Sequence, residues 1–119
     1  MPKLRIRNIT RNVELAGAAD IADTSAKRRT GLLKHTSLQT GEGLWIAPCE
    51  AVHTVGMKFS IDVLFLNKKR KVLKIRAEMG RWKMALCMRG HSVLELRSGT
   101  CAATGTIAGD QLEFEKYGE

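Results

Sequence analysis

Residues 45–67 read WIAPCEAVHTVGMKFSIDVLFLN: an apolar run, a knot of reactive side chains, and a second apolar run. The second run places Val63, Leu64, Phe65 and Leu66 in succession. It is too short to span a membrane, and its residue types suit a pleated strand buried on both faces. A central strand is therefore predicted over Ile61–Leu66. Between the runs stand Cys49, His53, Thr54 and Met57, preceded by Pro48 and interrupted by Gly56. Proline cannot donate to a ladder and glycine is conformationally permissive, so irregular backbone is expected there. Polar groups on irregular backbone beside a core are where binding sites lie.

Working outward, Leu4 and Ile6 alternate with Lys3, Arg5 and Arg7 over residues 3–9, the pattern of a half-buried strand. Val13 and Leu15 predict a second strand to Ala16, while Gly17 to Ala22 is too poor in pattern to assign. Asp23, Thr24 and Ser25 offer N-caps for one short helix over residues 25–35. Gly31 either ends that helix early or permits close packing. A turn over Thr40–Gly43 leads into a strand at Leu44–Ala47. After the central strand, NKKRK at 67–71 is a charged hairpin tip. It feeds a strand over 72–79 in which Leu73, Ile75, Ala77 and Met79 face in while Lys74 and Arg76 face out. Gly80 to Gly90 lacks periodicity and is read as a long covering loop. Further strands follow at Ser92–Arg97 and Gln111–Lys116, joined by small residues at 100–105 that allow at most a helical turn, and by a turn at Gly109–Asp110. Strands separated by turns, with one short helix, predict a mainly β single domain over 1–119, an antiparallel sandwich or partly open barrel.

The chain has 119 residues, with 44% hydrophobic and 27% charged side chains, enough for a core without disulfide or metal staples. Its N-terminus mixes basic and apolar residues without a secretory apolar segment, so a soluble, cytoplasmic protein is expected. Cys49, Cys87 and Cys101 form no CxxC pair, which speaks against a disulfide framework or a structural zinc site. The net charge of +8 favours anionic partners, nucleic acid or an acidic protein among them, without selecting one. No feature sets an oligomeric state.

TSAKRRTGLLKHTSL, GEGLWIAPCEAVHTVGMKFSIDVLFLN, VLELRSG and GTIAGDQLEF, taken together, resemble the uncharacterised bacterial and archaeal family known as domain of unknown function 192, over roughly residues 24–115. The resemblance implies a compact, mostly β domain. It brings no established activity and hence no catalytic residues. Ser60, Lys27 and His35 depart from the proline, acid and arginine that the family often has at those places.

Four constellations carry possible chemistry. Cys49, His53 and Met57 recur every fourth position and are soft or borderline ligands of the kind copper(I) takes. A metal requires donors converging to about 2.0–2.3 Å, which this spacing does not enforce, and neither metal nor cofactor is expected. Cys49 and His53 could instead make a thiolate–imidazolium nucleophile, against the plainer reading of a buried thiol and a hydrogen-bonded imidazole. Arg28, Asp62 and Glu95 are charged groups beside apolar positions. A buried carboxylate needs a partner, and Arg28 is expected to pair with Asp62 or Glu95. Lys68, Lys69, Arg70, Lys71, Lys74 and Arg76 form a basic surface, to which Trp82 between Arg81 and Lys83 adds an aromatic, as in single-stranded nucleic-acid binders. The plainer reading is a solvated hairpin whose lysines prevent edge aggregation. No phosphate loop, dinucleotide fingerprint or metalloprotease motif occurs. The sequence reading is thus a small non-enzymatic binding domain with a site at Cys49, His53, Thr54, Met57 and Trp82 for an unidentified small ligand. A nucleic-acid module and a cysteine-dependent enzyme are the alternatives.

Overall fold

All six residues of Ile61–Leu66, Asp62 included, are buried, and the segment forms an inner strand, second from one edge, of a seven-stranded sheet. The computed structural model describes residues 2–118. In chain order the elements are β1 (Lys3–Asn8), β2 (Val13–Ala22), α1 (Ser25–Thr30), β3 (Glu42–Ile46), β4 (Ala51–His53), β5 (Ile61–Leu66), β6 (Val72–Met79), β7 (Met84–Leu86), β8 (Ser92–Arg97), α2 (Thr100–Thr104) and β9 (Leu112–Tyr117). The large sheet runs β6-β5-β8-β3-β2-β1-β9, and β4 pairs with β7 in a separate two-stranded ribbon.

The fold is mostly β, and several details differ from the reading above. The sheet is mixed, because β2 and β3 are parallel while the other pairs are antiparallel. The segment between them is long enough to carry α1 and its following turns back across the sheet, the crossover a parallel pair requires. The helix predicted over 25–35 stops at Thr30, where Gly31 at φ +48° donates to the Lys27 carbonyl at 2.9 Å. A second helix, α2, is formed by the small residues at 100–104. β2 also runs through the unassigned stretch 17–22. Within β6, Ala77 is exposed and Met79 buried, since a register irregularity against β5 and a positive φ at Glu78 break the predicted alternation.

The two edge strands approach each other at one corner, where Val72 donates to Asp110 (2.9 Å) and Leu112 to the Arg70 carbonyl (3.0 Å). The sheet is curled but not closed into a barrel. Asp110 fixes this corner by accepting from Asn8 Nδ2 (2.9 Å), Arg11 Nε (3.0 Å) and the Ile107 amide (3.0 Å). These donors hold its carboxyl down at about 2, the Arg11 hydrogen bond first among them.

Strand alternation divides the core in two. Leu64, Leu66, Leu94 and Leu96 pack with Leu4, Ile6, Leu15, Ala19 and Leu112 on one face. Ile61, Val63, Phe65 and Val93 pack on the other against Leu32, Leu38, Val52, Met57 and Ala85, which come from the segments covering the sheet.

Candidate functional site

β3 ends at Ile46, and the chain leaves the sheet through Ala47 and Pro48. Cys49 is held there by its amide, which donates to the His91 carbonyl at 2.9 Å. The next residues form the ribbon, with Ala51 opposite Leu86, Val52 opposite Ala85 and His53 opposite Met84. Period-two alternation sends Val52 and Ala85 into the core and leaves Ala51, His53, Met84 and Leu86 outside. The expected loop over Gly80–Gly90 therefore contains β7, whose three residues are too few to show a period.

The ribbon and α1 cover neighbouring parts of one sheet face, and between them opens a cavity of about 580 Å³. Arg28, Cys49, Val52, His53, Met57 and Glu95 contribute to its lining. Of the sequence-predicted site residues, Cys49, His53 and Met57 come together here. Thr54 does not line the cavity. It is fully buried, and its hydroxyl donates to the Gly80 carbonyl (2.6 Å) while accepting from the Lys83 amide (2.8 Å), tying the 80–83 segment to the ribbon. Trp82 lies outside as well, 65% exposed.

Glu95 is the group whose position in the site was not anticipated. It stands opposite Val63 on one side and Leu44 on the other, so its side chain shares their face and lies at the cavity floor. Only 4% of it is exposed, and among the described residues nothing donates a hydrogen bond to its carboxylate or pairs with it. Burial alone pushes its pKa up to about 7.

The expected Arg28 ion pair is not formed. Arg28 donates to the Asp23 carbonyl at 3.4 Å, while the ion pairs among the described residues are Lys3–Asp20, Arg5–Glu14, Arg5–Glu115 and Arg11–Asp110. Asp62 stands opposite Leu96 and so points to the other face from Glu95. It accepts from the amides of Glu78 (2.7 Å), Gly99 (3.2 Å) and Cys101 (2.8 Å), which anchors the start of α2. Backbone donors thus replace the cation that the sequence suggested.

Cys49 has the character of a thiol. Burial, first, and the charge of Glu95 push its pKa up, against the opposing influence of a backbone hydrogen bond at Ala51 and of Arg28, and as a thiol Sγ donates to the Ala51 carbonyl at 3.1 Å. A nucleophile would need the reverse, a pKa lowered by a cationic partner. Among the described residues no three His, Cys, Asp or Glu side chains converge as a metal site.

The basic surface is divided. Arg70 lies over the rings of Trp45 (4.9 Å) and Phe114 (4.5 Å), and Lys74 donates to the Leu86 carbonyl at 2.8 Å. Lys68, Lys69 and Lys71 remain exposed at the hairpin tip, and Arg76 is half-buried. No helix of the described residues is long and apolar enough to cross a membrane.

The model of a family described as "DUF192: Uncharacterized ACR" matches residues 7–114. The match begins well before the quoted motifs, at the end of β1, and takes in β2. No curated protein matches the chain. A solved protein of unknown function from Novosphingobium aromaticivorans DSM 12444 has 22% identity and a TM-score of 0.80, over 93% of this chain and 83% of its own. Another, from Sinorhizobium meliloti 1021 and described as a "putative transcription regulator", has 20% identity and a TM-score of 0.83, over 96% and 94%. At such identities these likenesses establish a shared fold.

Proposed function

This chain belongs to the uncharacterised DUF192 family, and from its site we propose that it is a small-ligand-binding domain whose ligand occupies the cavity between α1 and the β4–β7 ribbon. The observation that carries the reading is Glu95. A carboxylate withdrawn from water and given no partner costs several kcal/mol, and a ligand with a matching donor offsets that cost on binding. The cavity size falls within the range of about 300–1,000 Å³ usual for small-molecule sites. Its lining combines apolar walls from Leu32, Ile46, Val52 and Met57 with a few polar groups. The protonated Cys49 supports a binding role over cysteine-dependent catalysis, and the divided basic surface gives the nucleic-acid alternative less support.

The test is a thermal-shift screen of a small-metabolite collection on the native chain and on Ala51→Trp. Ala51 lines the cavity from an exposed position, so tryptophan fills the mouth without entering the core. At least one compound is expected to raise the native Tm and to leave the variant unchanged. No stabilising compound, or equal stabilisation of both proteins, would remove the cavity from consideration.

A further inference from the structure

We infer that the cavity's ligand is a small zwitterion, with an ammonium group at Glu95, a neighbouring carboxylate at Arg28 and an apolar side chain against the cavity wall, the chemistry of a hydrophobic amino acid. This ligand class rests on the cavity being a binding site. Two opposite charges line the cavity and neither has an ion-pair partner among the described residues. Glu95 is a floor carboxylate, 4% exposed and without a donor. Arg28 is half-buried, and its hydrogen bond is a long one, 3.4 Å, to a backbone carbonyl. They do not pair with each other, yet the Cys49 thiol feels the charge of both, which places it within electrostatic range of each. The cavity lining thus carries two charges of opposite sign, both within range of Cys49, with Leu32, Ile46, Val52 and Met57 as apolar wall.

Electrostatic bookkeeping selects the class. A simple amine would satisfy Glu95 and leave Arg28 and Arg29 facing a third cation. A simple carboxylate would satisfy Arg28, whose planar fork suits it, and leave the buried Glu95 unpaired beside another anion. A zwitterion neutralises both charges and adds no net charge. His53 and Arg29, the other cationic or titratable lining groups besides Cys49, stand at exposed positions.

Titration calorimetry at pH 8 with leucine, methionine and phenylalanine, alongside 3-methylbutylamine and 4-methylpentanoate, tests the assignment. At least one amino acid is expected to bind, with the two single-charge analogues at least about tenfold weaker than leucine where leucine binds, as the loss of one charge-assisted contact implies. Glu95→Gln and Arg28→Gln, each checked for native circular dichroism, should each weaken the best amino acid by at least about tenfold. An analogue that binds as tightly as leucine, an amino acid bound equally well by both variants, or no binding by any of the three would overturn the zwitterion. If the metabolite screen finds a cavity ligand while the amino acids fail, the binding site stands and only this class falls. A screen that also fails removes both.

Discussion

Replacing Glu95 by glutamine should make the protein more stable at alkaline pH, although a strand-centre side chain is being changed. In the folded chain burial raises the carboxyl from its ordinary 4.5 to about 7. The folded state therefore holds the proton more tightly than the unfolded state. Stability from this group is fully present below pH 4.5 and is lost as pH rises to about 7. At about 1.4 kcal/mol per pH unit, that interval corresponds to about 3 kcal/mol between acid and alkaline conditions. Glutamine has nearly the same shape and no charge to desolvate, so the native protein should lose about 3 kcal/mol relative to the variant between pH 4.5 and pH 8. Urea unfolding, followed by circular dichroism at half-unit pH steps, measures the difference directly. Parallel stability curves, or a variant that loses ground as pH rises, would show that Glu95 is already ionised and partnered in the fold and that the reasoning from its isolation is wrong.

Asp62→Ala strands three backbone amides at the head of α2 and the end of β6, and should cost roughly 3 kcal/mol or more in denaturant unfolding; a cost below about 1 kcal/mol would contradict the capping role. For Arg11→Ala the loss lies on the acid side: the Asp110 carboxyl, held at about 2 against an ordinary 3.8, contributes stability present above 3.8 and lost on descent through about 2, so acid unfolding should begin at a higher pH in the variant. Cys49 should alkylate with iodoacetamide more slowly at pH 7.5 than a free cysteine, with the rate rising only at higher pH; a fast reaction at pH 7.5 would restore the nucleophile reading. Gly43→Ala should destabilise by roughly 1–3 kcal/mol in thermal or urea unfolding, because a Cβ there would stand 2.9 Å from the Glu95 carbonyl oxygen across the β3–β8 pair.

What the sequence determined by itself is local. The continuous apolar run over residues 63–66 sufficed for a doubly buried strand, since no solvated face could hold four such positions in succession. The charged NKKRK tip marked the β5–β6 hairpin, and Gly31 contained the early end of α1. The gathering of Cys49, His53 and Met57 at one cavity also follows from a single short segment bent by Pro48 and Gly56. Tertiary structure decided everything that depends on register. Asp62 and Glu95 look alike in sequence, each a carboxylate in an apolar strand, yet pairing of β5 with β8 puts Asp62 opposite Leu96 and Glu95 opposite Val63. They consequently face opposite cores, one met by three amides and the other by an open cavity. No periodicity within either strand encodes that difference, because a one-residue slip would exchange the two faces. The parallel pairing of β2 with β3 and the emergence of β7 from an aperiodic loop arise in the same way. Both depend on partners distant in the chain, whose positions are fixed only when the whole sheet assembles.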